Sequence, residues 1–131
     1  AGMSSARSDD GPEGDTITVA VRCRPFNDRE NALGSGSCVR LGRNSNGQPI
    51  AVIKDPASTK DDAERTFVFD YVYDSETKQE SVYRELGLPV LENALSGFNG
   101  TIFAYGQTGS GKTHSMGGSP GDPGLIPRLN N

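Results

Sequence analysis

At 131 residues, with 33% hydrophobic residues, 17 glycines and 8 prolines, the chain has room for one domain with a modest core and a large share of loop. Its net charge of −4 gives no global attraction for nucleic acid or an anionic membrane surface. No apolar run approaches the ~20 residues of a membrane span, and the polar N-terminus carries no signal-peptide pattern.

Residues 1 to 15 are Ser, Gly, Asp and Arg with almost nothing apolar, which predicts a disordered tail ahead of one unit over residues 16 to 131. Thr16-Ile17-Thr18-Val19-Ala20-Val21 is β-branched and predicts a buried strand, ended by Pro25, which lacks the N–H a ladder needs. The strand exit, Arg22-Cys23-Arg24-Pro25, has two readings. It is either a solvated strand end or a set of flat surfaces for a ring-shaped ligand, because guanidinium and proline both stack on an aromatic face. Cys23, Cys38 and the single His114 are too few soft ligands for zinc, and the two thiols read as reduced cysteines of a cytosolic protein.

From Asn27 to Asp62 the pattern is weak. Cys38 to Leu41 and Pro49 to Ile53 predict short strands joined by the turn-forming Gly42 to Gly47, a small edge hairpin, with a polar loop over Asp55 to Arg65. Thr66-Phe67-Val68-Phe69-Asp70 predicts the next strand. A helix follows from Thr77 to Ser96: Val82, Leu86, Val90, Ala94 and Phe98 recur four apart, Pro89 should kink it, and Gly97 should end it. The run Thr101 to Tyr105 predicts a strand, so that the helix becomes the crossover of a right-handed βαβ unit. A helix begins at Lys112 to Met116, is broken at Gly117 to Gly124, and resumes at Leu125 to Leu129.

Between the last strand and that helix lies Gly106-Gln107-Thr108-Gly109-Ser110-Gly111-Lys112-Thr113, which matches G-x-x-x-x-G-K-[ST], the phosphate-binding loop. Glycines at 106, 109 and 111 let backbone N–H groups close around an anion, and the helix start adds unpaired N–H groups. Lys112 can reach the β- and γ-phosphates of a nucleotide, and the Thr113 hydroxyl can ligate Mg²⁺. Asp70 ends an apolar strand as a Walker B carboxylate does. Such a carboxylate follows the loop in sequence, however, and Asp70 precedes it, so a buried strand with a solvated or turn-capping Asp is favoured.

The stretch GTIFAYGQTGSGKTHSM at residues 100 to 116 closely resembles the phosphate-loop region of the kinesin motor domain. RCRPFN at 22 to 27, TFVFDYVY at 66 to 73, the segment from Lys78 to Thr101, and GLIPRL at 124 to 129 resemble that family in the same order. The resemblance implies an α/β fold of the phosphate-loop NTPase type: a central, mostly parallel sheet flanked by helices, incomplete in this chain. It puts Arg22, Arg24, Pro25 and His114 on the adenine side of a nucleotide pocket. Gly106 to Thr113 form the phosphate and Mg²⁺ site, with Lys112 and Thr113 at catalytic positions. Its further implications are ATP and ADP with Mg²⁺ as cofactors, microtubule-stimulated ATP hydrolysis, and a cytoplasmic, cytoskeletal protein.

The family senses the γ-phosphate with elements resembling N-x-x-S-S-R-S-H and D-x-x-G-x-E, and neither occurs in these 131 residues. Both are expected downstream, along with the microtubule-contacting parts and a coiled coil able to dimerise the parent protein. The net negative charge agrees, since tubulin is acidic and its basic counterpart must lie elsewhere. The expected partner is therefore the microtubule, through segments outside this stretch, with no nucleic acid and no membrane insertion. Taken alone, the chain is expected to be inactive and loosely folded, with unpaired sheet edges. Three functions follow: the ATP-binding part of a microtubule motor, a truncated nucleotide-binding module without turnover, or a small phosphate-loop kinase. The kinase is disfavoured because only 18 residues before the final one follow Lys112, too few for a lid and acceptor site.

Overall fold

The computed structural model describes residues 17–55, 57 and 64–130. The expected tail over 1 to 15, residue Thr16 and most of the expected loop from Asp55 to Arg65 lie outside them.

The centre is a parallel pair of short strands, β1 (Ala20–Arg22) and β5 (Tyr71–Tyr73), with Val21 opposite Val72. Beside it stands an antiparallel sheet in the order β2 (Val39–Arg43), β3 (Pro49–Lys54), β4 (Glu64–Val68). The β2–β3 hairpin was expected. Its turn is closed by Asn44, whose Oδ1 accepts the N–H groups of Asn46 and Gln48, with Gly47 at φ +77°.

Two strand expectations need correction. The first strand begins at Ala20, and Ile17, Thr18 and Val19 before it are exposed. The run Thr66–Asp70 is not a strand of the central pair. Its first part belongs to β4 and pairs with β3, and the chain then turns a corner, after which Tyr71–Tyr73 joins β1. The corner has a visible cause in hydrogen bonding. The Phe69 N–H still donates to Pro49 of β3, whereas the Asp70 N–H donates to the Val19 carbonyl beside β1. Asp70 Oδ2 accepts the Val19 N–H at 2.8 Å, so the carboxylate caps the corner, the second of the two roles set against Walker B.

The expected helix over 77 to 96 forms in three pieces: α2 (Gln79–Val82), a π-helical turn (Tyr83–Gly87) and α3 (Leu88–Leu95). Pro89, in the first turn of α3, has no N–H to return to Glu85, and the wider π turn directly before it absorbs the missing bond. Gly97, at φ +93°, ends the helix as expected. Its N–H reaches the Ala94 carbonyl and the Phe98 N–H reaches Asn93.

The run from Thr101 to Tyr105 forms no ladder among the described residues, so the expected βαβ unit is not closed there; Phe103 is 80% and Tyr105 97% exposed. A short ribbon, β6 (Gly118–Ser119) with β7 (Asp122–Pro123), separates α4 (Lys112–Met116) from α5 (Leu125–Leu129). The small core joins Tyr73, Val82 and Leu125, with Ala20, Leu86, Ile102 and Met116 packed against it. That core fixes α4, and with it the glycine loop, against the end of β1.

Candidate functional site

The glycine loop is held by its own lysine. Lys112 Nζ donates to the carbonyls of Gly106 and Gln107, each at 2.7 Å, folding the ammonium back over the loop. Two glycines here are required by geometry. A Cβ on Gly106 would lie 2.5 Å from the Ser110 hydroxyl, and Gly111, which caps α4, has φ +97°. The loop thus takes a side chain at neither Gly106 nor Gly111 without strain.

Against one side of this loop lies the exit of β1. The two arginines there differ in role. Arg22 turns inward: one terminal nitrogen donates to Gln79 Oε1 at 2.6 Å and Ser115 Oγ at 3.1 Å, the other to the Thr77 carbonyl at 3.2 Å. Gln79 is buried and passes the contact on, donating to the His114 carbonyl at 2.5 Å. Burial lowers the Arg22 pKa, opposed by the nearby Asp122 carboxylate. Arg24 turns outward to the loop, where Nε donates to the Gly109 carbonyl at 2.7 Å.

A cleft of about 560 Å³ opens between these parts. The expected residues Arg22, Arg24, Pro25, Gly109, Ser110, Gly111 and His114 all line it. Gly106, Gln107, Thr108, Lys112 and Thr113 do not; they form the adjoining part of the loop and the first turn of α4, with Thr113 exposed. A larger cleft of about 630 Å³ lies elsewhere, between β5 and the helix at Thr77 to Glu85, and touches none of the loop.

Residues not foreseen also line the first cleft. Ser75 to Lys78 form its far wall, in a turn built on Asp74, whose Oδ1 accepts from the Thr77 hydroxyl and the Glu76 N–H and whose pKa is thereby lowered. Asp122 comes from the β6–β7 ribbon. Asn27 and Glu30 form a capping box at the start of α1 (Asp28–Ala32), and the N-x-x-E spacing was a readable signal for it. Cys23 also lines the cleft; burial first, then the Cys38 and Asp74 charges, raises its thiol pKa. Cys23 and Cys38 are both free, as expected. Among the described residues no cluster of three or more His, Cys, Asp or Glu is placed to hold a metal ion. The hydroxyl at the position expected to ligate Mg²⁺ is that of Thr113, in the first turn of α4.

The family model of the kinesin motor domain matches residues 22–131. The kinesin heavy chain of Drosophila melanogaster is 41% identical over 123 residues, covering 92% of this chain and 12% of its own length. Kinesin-related protein 1 of Dictyostelium discoideum is 46% identical over 124 residues, 86% of this chain and 6% of the relative. The kinesin-like protein KIF3C of Mus musculus is 38% identical over 120 residues, again 86% of this chain and 14% of the relative. The chain therefore spans less than a sixth of the length of these relatives. Among solved structures, residues 391–755 of KIF14, described with ADP in complex with a microtubule, superpose with a TM-score of 0.76 at 34% identity, covering 87% of this chain and 31% of that one.

Proposed function

Because the chain belongs to the kinesin motor domain family, we propose that it is the ATP-binding part of a motor that hydrolyses ATP and moves along microtubules. The observation that carries this reading is the junction of the glycine loop with the β1 exit in one cleft, tied by the Arg24–Gly109 bond of 2.7 Å. The likeness to a KIF14 structure described with ADP and a microtubule supports both the nucleotide and the partner.

The loop fits a nucleotide phosphate. A Cβ on Gly106 would crowd Ser110 inside the loop, and the Lys112 ammonium is held at the loop by the Gly106 and Gln107 carbonyls. An ammonium has three N–H donors, and two are satisfied by loop carbonyls, so one remains for a phosphate oxygen. Thr113 offers one hydroxyl, which suits Mg²⁺ held mainly by phosphate and water; that ion would neutralise charge on the β- and γ-phosphates. Pro25, His114 and the flat face of Arg24 form the side available to the base. The γ-phosphate sensing that completes hydrolysis and the microtubule contact are assigned to parts of the motor outside this stretch, the latter consistent with its net charge of −4. The protein then acts in the cytoplasm, on the cytoskeleton.

The test uses the full-length protein. A fluorescent ADP analogue is titrated with and without Mg²⁺, and ATP hydrolysis is followed with and without microtubules. Mg²⁺-dependent binding and microtubule-stimulated turnover are expected. Binding without turnover would reduce the protein to a nucleotide-binding module, and no binding would defeat the reading.

A further inference from the structure

The geometry points to Glu30 as a positioning residue for the phosphate loop, acting through Arg24; this rests on the nucleotide-binding reading of that loop. Arg24 Nε donates to the Gly109 carbonyl at 2.7 Å. One terminal nitrogen donates to the Pro25 carbonyl at 2.8 Å and to Glu30 Oε2 at 2.7 Å, and the other to Glu30 Oε1 at 2.6 Å. A guanidinium has five N–H donors, so four are already directed at protein acceptors. The edge of Arg24 is therefore mostly occupied by the protein, which leaves one N–H and the two flat faces for a ligand. Its stem also backs the loop, since a Cβ built on Gly111 would lie 3.7 Å from Arg24 Cβ.

Gly109 needs such a brace. It has φ +82°, and a Cβ there would touch nothing within 4 Å, so packing does not restrain it. Lys112 holds the loop from within, at Gly106 and Gln107, and Arg24 holds it from outside, at Gly109. What aims Arg24 is Glu30. The paired contact is bidentate and charge-assisted, which fixes the plane of the guanidinium. Glu30 is itself anchored at the start of α1: its Oε2 accepts the Asn27 N–H at 2.9 Å, and its own N–H donates to Asn27 Oδ1 at 2.9 Å. Restraint thus passes from the α1 cap through Glu30 and Arg24 to the Gly109 carbonyl. Without Glu30, the guanidinium keeps only its two carbonyl contacts and loses the one that fixes its plane, the loop loosens, and bound nucleotide leaves sooner.

The experiment is a double-mutant cycle on the full-length protein, read as the release rate of N-methylanthraniloyl-ADP chased with excess ATP. Wild type, Glu30→Ala, Arg24→Ala and the double variant are compared, with Glu30→Gln added because glutamine keeps the capping box. Each alanine variant should speed release by about threefold or more, the double variant no further than Arg24→Ala, with Glu30→Gln in between. Equal acceleration by Glu30→Ala whether or not Arg24 is present would show that Glu30 merely caps α1, and would overturn the inference. Unchanged release in Glu30→Ala would overturn it equally. A wild type that binds no analogue would instead defeat the nucleotide reading, and this inference with it.

Discussion

Arg22 and Gln79 clasp each other behind the cleft, the guanidinium donating to Oε1 of the amide at 2.6 Å. The amide nitrogen continues to the His114 carbonyl in α4, so strand β1, helix α2 and the helix after the glycine loop share one polar connection. Gln79 is 2% exposed and is the buried polar side chain among the described core residues. Removing it leaves the Arg22 charge and the His114 carbonyl each short of a partner. Gln79→Ala in the full-length protein should cost about 2 kcal/mol of stability, read as a lower denaturant midpoint at an unchanged slope. A midpoint equal to wild type would show that the connection carries no stability.

The sequence made some of this legible, and physical reasons separate that part from the rest. The glycine loop could be read because its residue types are dictated locally, by backbone shape and by chemistry, whereas the R-x-R-P exit kept two readings until the family resemblance was added. The hairpin and the Gly97 stop were readable for the same reason as the loop. The corner at Phe69–Asp70 was not. TFVFDYVY is an unbroken strand-forming run, and it is divided only because its hydrogen bonds change partner from β3 to Val19. The different tasks of Arg22 and Arg24 were likewise hidden, since they depend on Gln79 and Glu30 arriving from distant or weakly patterned segments. Asp122 reaches the cleft on a loop with no pattern of its own.

Lys112 bears both on loop shape and on ligand charge. Its ammonium bonds two loop carbonyls, so Lys112→Ala removes the internal tie as well as the positive charge a triphosphate needs. In the complete motor this variant should lose tight Mg-ATP binding or turnover altogether. Equilibrium binding of a fluorescent nucleotide, followed by an ATPase assay, decides it. Near-normal hydrolysis would remove Lys112 from the site.

Gly118 is the tightest glycine among the described residues. At φ +79°, a Cβ would come within 2.2 Å of the Gly124 nitrogen and 2.4 Å of the Asp122 carbonyl, all backbone atoms that cannot rotate aside. Gly118→Ala should break the β6–β7 ribbon, displace Asp122 from the cleft wall, and cost about 2 kcal/mol or more. Thermal unfolding of the full-length variant measures the loss. Gly121→Ala is the control, since a Cβ there meets nothing within 4 Å although φ is +85°. It should be the milder of the two.

Glu30 sets a pH dependence whose sign follows from its contacts. The Arg24 hydrogen bonds first, then the Asn27 N–H, lower its carboxyl from an ordinary 4.5 to about 2. The folded protein therefore binds this proton less readily than the unfolded chain. The stabilisation is complete above the ordinary value and is lost as pH falls from 4.5 towards 2. Glu30→Gln cannot titrate there, so the stability gap between wild type and Glu30→Gln should be widest above about pH 5 and narrow steadily in acid. A gap independent of pH between about 6 and 3 would show that the Arg24 contact does not hold the carboxylate in solution.

The last prediction concerns the 131 residues as a separate polypeptide. Their buried apolar residues number few among those described: Ala51, Val52, Tyr73, Val82 and Leu125. Against that stand Leu95, Phe98, Phe103 and Tyr105, each more than two-thirds exposed, with the run from Thr101 to Tyr105 joined to no strand among the described residues. Burial of apolar surface is the term that must offset chain entropy, and here the two are poorly matched. The 131-residue chain should therefore bind a hydrophobic dye, show a weak near-ultraviolet circular dichroism signal, and melt without a sharp transition. Its secondary structure should survive in the β2–β3–β4 sheet, whose ladders close among themselves. A cooperative melt with a full near-ultraviolet signal would mean that β1, β5 and the helices form a stable core unaided, and that the exposed Phe103 and Tyr105 have found cover within the chain itself.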